Sequence, residues 1–343
     1  MDNNQIEKRG SGYSLPVSDY EKLAKTVQEQ GCYRRTYIHF LGITLVTLIG
    51  IVLTFIGLTL TDNLFIQIIN AVMFGFFSVQ LGLIGHDLSH GGVFVSRKLN
   101  RNLALLVWGL GCGLSEGRWF YKHNTHHQSP NHIGHDPDLE IPFVFNHEQA
   151  KRYTAFSQNW VFPHQHVLFW FGLWFVYPYN ILNSMRFLFS NFSLRSLTEI
   201  LLMVLHFLVV FGLTIFFLPV TTAIVFNLVV FLVMGIYMGL IFAPNHKGQD
   251  MLEEEASYNW VQQITLTRNI KPSFISSYFL GGLEHQIEHH LFPTMPRFQY
   301  GKARKIVQVF CHQRKIPYHE TTWTQSMGQI HSSLLEESRA WQT

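Results

Sequence analysis

Four stretches of this chain, Ile38–Leu60, Leu64–Gly85, Ile200–Pro219 and Thr221–Ala243, run apolar for the length a bilayer demands and contain no Asp, Glu, Lys or Arg. A helix needs about 20 such residues, at roughly 1.5 Å of rise each, to cross the hydrocarbon core. Thr61-Asp62-Asn63 joins the first pair and the Pro219 region the second. A helix that leaves a membrane into so short a turn goes straight back, so the spans form two antiparallel hairpins. Composition agrees: 14% of the 343 residues are charged, against about a quarter in a soluble domain. The net charge of +3 comes with no long basic run, so the expected surroundings are membrane lipid, with no nucleic-acid partner. Cys32, Cys112 and Cys311 are widely spaced and odd in number, which suggests reduced thiols.

All 25 Lys and Arg fall in residues 1–37, 85–196 and 244–343, on one side of a four-span protein. The positive-inside rule makes that side the cytoplasm and puts both termini there. No apolar h-region lies near Met1, so no cleaved signal peptide is expected. Residues 1–37 read as a cytoplasmic arm with a short interfacial helix over Ser18–Gln30, 38–320 as the membrane domain and 321–343 as a cytoplasmic tail. Val167–Leu182 is apolar too, but its 16 residues, rich in aromatics, suit an interfacial or buried segment. No internal repeat, low-complexity tract or independent second domain is apparent. The expected fold is an all-α integral membrane protein with four transmembrane helices in two hairpins and a cytoplasmic helical cap.

Histidine is the anomaly, with 19 copies against 22 acidic residues. His86 and His90 are four apart at the exit of the second span, and His123, His126 and His127 follow an i, i+3, i+4 pattern. Gln286, His289 and His290 repeat that pattern with Gln leading, and His246 stands three residues past the fourth span. Residues three and four apart share one face of a helix. Eight imidazoles without a thiolate doublet match two metals of about four protein ligands each, with positions left for oxygen, and favour a pair of irons. The neutral ring is the ligating form, so binding should weaken as pH falls through the histidine range. Asp87, Asp136, Asp138, Glu284 and Glu288 are candidates to orient the rings. His285, four before His289, can share its face. His39, His132, His135, His147, His164, His166, His206, His312, His319 and His331 read as ordinary surface or core residues.

The motifs GHDLSH at 85–90, KHNTHH at 122–127, PNHIGHDPD at 130–138, PNHKG at 244–248 and GGLEHQIEHHLFP at 281–293 make the chain, from about Tyr37 to Glu320, resemble the membrane fatty acyl desaturases. The resemblance implies a non-haem diiron enzyme that uses O2 and two electrons to take two hydrogens from an acyl chain. It implies that His86, His90, His123, His126, His127, His246, His289 and His290 hold two iron ions, with Gln286, His285, Asp87, Asn245 and Glu288 as further candidates beside them. The leading Gln286 resembles the front-end, delta-6-type branch and also some bacterial stearoyl desaturases of delta-9 type. Many front-end members carry a fused cytochrome b5 domain, but the 37-residue arm is too short for one and no HPGG haem motif occurs. The expected donor is therefore separate: ferredoxin, flavodoxin or free cytochrome b5. The acyl group would arrive on CoA, on ACP or in a lipid. The expected location is a bacterial cytoplasmic membrane, with thylakoid or endoplasmic reticulum as alternatives.

An acyl chain has no polar handle, so its site must grip by apolar burial and aim one carbon at the oxidant. Trp119, Trp260 and Tyr278 are candidates to wall such a channel, among nearby aromatics that include Trp108, Phe120, Tyr121, Trp160 and Phe279. The segment 301–305 can meet an acidic electron carrier, CoA phosphates or lipid headgroups, and Glu253–Glu255 reads as solvated. A membrane diiron hydroxylase or ketolase could use similar boxes. A histidine-rich metal transporter would place ligands near the bilayer midplane, where only His206 lies.

Overall fold

The computed structural model describes residues 13–145, 147–150 and 153–341, without the side chains of His147, Glu148 and Phe274. The first twelve residues of the arm, the last two of the tail and the side chain of His147 lie outside that description. In chain order the helices are α1 (Val17–Glu29), α2 (Tyr37–Leu60), α3 (Leu64–Ser89), α4 (Arg97–Leu106), α5 (Glu116–Gln128), α6 (His147–Ala150), α7 (Gln165–Gly172), α8 (Val176–Ser190), α9 (Leu194–Phe217), α10 (Val220–His246), α11 (Gln262–Thr265), α12 (Phe274–Leu280), α13 (Gln286–Leu291), α14 (Tyr300–Arg314) and α15 (Trp323–Ala340). Among the described residues α2, α3, α9 and α10 are the four helices long and apolar enough to cross a membrane, and the chain is an integral membrane protein. One departure from an all-helical fold is a two-residue parallel pairing of β1 (Asn269–Ile270) with β2 (Glu320–Thr321).

The chain divides into two compact units, one of residues 35–121 and 172–240, the other of 1–34, 122–171 and 241–343. Each is assembled from separated stretches, so no linker in the sequence announces the division.

The first unit holds the hairpins. Helix α2 buries Thr47, Gly50, Thr54 and Leu58, one stripe that lets α3 approach closely. A Cβ on Gly50 would lie 2.4 Å from the Phe77 ring, and one on Gly57 2.8 Å from the Asn70 amide. Gln67 and Asn70 of α3 then donate to Gly57 O and Thr54 O, and Asn63 caps α3 by accepting from Phe65 N and Ile66 N. In the second hairpin Asn227 donates to Thr214 Oγ1 at 2.8 Å. Helix α9 starts at Leu194, six residues before the apolar stretch begins, because Ser193 caps it. That extra turn carries Glu199, whose buried carboxylate accepts from Ser115 Oγ (2.6 Å) and Gly117 N (3.1 Å) at the start of α5. A carboxylate is well placed at a helix N-terminus. The apolar stretch at 167–182 is broken by the 3-10 turn Leu173–Phe175 and forms no span-length helix.

The second unit packs α1, α11, α13 and α14 around Leu23, Val27, Val261, Ile264, Ile287, Leu291, Phe292 and Val307. One side of the arm helix is packed into this unit: Leu23 and Val27 lie in its core, and Tyr20 donates to Leu291 O at 3.0 Å. The expected tail also belongs to the unit, since α15 buries Ile330 and Leu334 completely.

Candidate metal centre

His86 lies on the last turn of α3 and His90 caps that helix, so the i, i+4 spacing brings their rings to 4.6 Å between centroids. Trp119 meets both rings edge-on, at 5.4 and 5.7 Å, and stacks on Trp108 at 5.1 Å. Burial, with His86 beside it, holds the His90 pKa well below the usual histidine value.

The other six box histidines converge within the second unit. Helix α5 presents His123, His126 and His127, α13 presents His289 and His290, and α10 ends on His246. The fourth span therefore does not stop before His246: the helix continues through Pro244, and a firm element carries the ring. His126, His246 and His290 are buried, and each offers a ring nitrogen within 4.8 Å of the others. Their centroids are 4.6 to 5.0 Å apart. His127 approaches His289 at 4.6 Å and His290 at 4.3 Å. His123 Nε2 and His127 Nε2 are 3.0 Å apart, about the spacing of two neighbouring nitrogens bound at roughly 2.1 Å with a right angle between them.

The protein holds the outer nitrogen of several rings. Asp136, fully buried, accepts at 2.9 Å from His126 Nδ1, at 2.8 Å from Asn131 N and at 2.8 Å from Asp138 N. A carboxylate can only accept, so Nδ1 carries the proton and Nε2 keeps its lone pair. Burial works against protonation of His126, but Asp136 and Asp138 outweigh it and raise its pKa. Gln263 donates to His127 O at 2.7 Å, which turns its Oε1 to His290 Nδ1 at 2.9 Å, and by the same logic leaves the His290 lone pair on Nε2. Tyr300 OH meets His289 Nδ1 at 2.9 Å. Asn245 donates to Leu283 O and to Gln286 Oε1, so the Gln286 amide nitrogen faces His246 Nε2 at 2.8 Å. Among the described residues His246 Nδ1 is buried with no hydrogen-bond partner. All-imidazole donors, oriented from behind, with His126, His246, His289 and His290 buried, fit a first-row transition metal.

Several expected residues lie elsewhere. Glu288 faces away from the rings: its carboxylate accepts from Asn269 at 2.8 Å and Tyr318 OH at 2.9 Å, and burial pushes its pKa up to about 7. His285 sits in a 3-10 turn beside Glu284 and Glu288, at 3.8 and 4.0 Å, and joins none of the ligand groups found among the described residues. Asp87 is 3.7 Å from His86 Nδ1, beyond hydrogen-bond reach. Asp138 stays at the site: one oxygen is 3.5 Å from His126 Nδ1, in a group with His126 and Asp136, and the other pairs with Lys122, which holds its pKa low against burial. Trp260 packs on Tyr20 and Phe310 and, with His290, lines a cavity of about 300 Å³. Tyr278 is half-buried on α12. His206, inside α9, spends Nδ1 on Leu110 O at 2.9 Å.

Sequence reasoning missed Tyr300 and Gln263, which reach the His289 and His290 rings from neighbouring elements, and Asn131, whose amide reaches the His246 carbonyl. Tyr300→Phe removes one hydroxyl and no volume. It should cost about 0.5–1.5 kcal/mol of stability while weakening metal binding roughly 10–100-fold, as read by thermal unfolding and cobalt titration.

The fatty acid desaturase family model matches residues 63–322. An acyl-lipid (9-3)-desaturase of Physcomitrium patens is 30% identical over 275 residues, 76% of this chain and 51% of the moss protein. The Delta(5) fatty acid desaturase fat-4 of Caenorhabditis elegans is 32% identical over 265 residues, 73% of this chain and 59% of the nematode protein. A fatty acid desaturase 2-like protein of Mus musculus is 27% identical over 336 residues, 95% of this chain and 67% of its own length. The chain thus spans about half the length of the moss relative. With the family match running across three of the four spans and all three histidine boxes, the chain belongs to the fatty acid desaturase family.

Proposed function

We propose that the chain is an O2-dependent acyl desaturase that holds two irons on His86, His90, His123, His126, His127, His246, His289 and His290. The observation that carries this reading is the convergence of six of these histidines, from three separate segments, into one cluster. Bound there, the irons would supply the oxidising power that an unactivated methylene requires. The protein's own part is to hold the rings. Asp136 and Gln263 fix which nitrogen of His126 and His290 carries the proton, and Tyr300 orients His289. Desaturation consumes one O2, two electrons and two protons for each double bond and releases two waters. The electrons come from a separate carrier: ferredoxin, flavodoxin or free cytochrome b5.

The substrate is a long acyl chain on CoA, on ACP or in a lipid, and the product a cis alkene of front-end, delta-6-like regiochemistry. The relatives named Delta(5), Delta(6) and Delta(8) desaturases support this choice, as does the leading Gln286. The one-sided basic residues support cytoplasmic termini. The relatives named above are a moss, a nematode and a mouse protein, so they lend no support to a bacterial membrane.

A host without desaturases, expressing the chain and fed stearate and linoleate separately, tests this reading through mapping of double bonds by mass spectrometry. The expected result is a new double bond in linoleate, between the existing ones and the carboxyl group. Efficient conversion of stearate to the mid-chain monoene, with linoleate untouched, would replace the front-end assignment with a delta-9 one. A hydroxylated or ketone product would remove desaturation itself.

A further inference from the structure

His246 ends the fourth membrane helix, where the last four carbonyls of an α-helix lack intrahelical partners. Here the carbonyls of residues 244–247 are all taken, and by two residues above all. Arg268 donates through Nε to Pro244 O, through its backbone N to Asn245 O at 3.1 Å, and through Nη2 to Lys247 O at 2.6 Å. Asn131 donates through Nδ2 to His246 O and to Leu266 O, both at 2.9 Å. Arg268 is 1% exposed, yet among the described residues its guanidinium meets carbonyls and the Gln329 amide, with no carboxylate in reach. A buried charge without a counter-ion is costly, and the negative end of a 27-residue helix supplies the compensation. The planar fork spans residues 244 and 247, which bracket His246, in a way that an ammonium cannot copy.

Asn131 adds a second link. Its φ is +56°, a left-handed conformation that Asn tolerates, and there its backbone N donates to Asp136 Oδ2 at 2.8 Å. Asp136 in turn holds His126. One residue thus ties the carboxylate behind His126 to the carbonyl of His246, on helices more than a hundred residues apart in sequence.

We propose that Asn131 and Arg268 are positioning residues that lock the end of the fourth membrane helix, so that His246 stands in register with His126 and His290. The proposal rests on the metal-centre reading above. It assigns the clamp to one metal position, the one that uses these three histidines.

Cobalt titration of the purified, metal-free full-length protein, followed by visible absorption, tests it with Asn131→Gly and Arg268→Lys. Asn131→Gly keeps the left-handed backbone and its N–H to Asp136 and removes only the amide, so it carries the test even if Arg268→Lys is not recovered folded. The expected result is two cobalt equivalents in the wild type. In each variant one should bind with unchanged affinity and the other roughly 10–100-fold more weakly. Unchanged binding of both equivalents overturns the proposal. So does equal weakening of both, which is the pattern of a general loss of structure. A wild-type protein that takes up no cobalt counts against the metal-centre reading instead.

Discussion

His126→Ala is expected to abolish turnover and to release metal, while His331→Ala and His312→Ala leave both nearly unchanged. His126 is buried, shares a ligand group with His246 and His290, and has its proton fixed by Asp136. Loss of a direct ligand from a site that must keep positions open for oxygen exceeds the roughly 10–100-fold that loss of an outer partner costs. The alanine variants of His246 and His290 should behave in the same way. His331 takes a 3.4 Å bond from Trp170 Nε1 and lies against the His166 ring, away from the box histidines, and His312 is exposed on α14. Metal analysis beside product analysis checks the set, and full activity in His246→Ala would remove that residue from the centre.

Asp136→Ala should be damaging in a different way. The carboxylate accepts from one ring and two backbone N–H groups, and its removal leaves buried donors unsatisfied at about 1–3 kcal/mol each. Unfolding should therefore move to markedly lower temperature in the metal-free protein, and metal binding should weaken as well. His126→Ala leaves the two backbone bonds in place, so its metal-free form should unfold closer to the wild type. Thermal unfolding of both metal-free variants separates the two effects. An Asp136→Ala protein as stable as the wild type would show that this loop is not anchored by the carboxylate.

The parts of this molecule that can be read from sequence are the local ones. Hydropathy locates the four spans because lipid imposes one demand on every residue of a helix, and the i, i+3, i+4 spacing of 123, 126 and 127 survives because it lies within one helix. The ends were harder. Helix α10 runs on through Pro244 because Arg268 and Ser326 donate to the Pro244 carbonyl, and no local rule foresees a donor 24 residues away. Glu288 adjoins His289 in sequence but not in function: one step along a helix turns about 100°, and it carries this carboxylate to Asn269 and Tyr318. Asp136 is one of several acidic candidates in the sequence, and its 2.9 Å contact with His126 Nδ1 singles it out. Tyr300 and Gln263 carry no sequence signal of their own, being ordinary residues until α13 and α14 fold beside the rings.

The most direct test of a diiron centre is the iron content of purified, catalytically competent protein, measured per chain alongside turnover. Two irons per chain are predicted, with activity falling in proportion as a chelator withdraws them and returning when ferrous iron is restored. Undiminished turnover by protein that contains no iron would contradict it.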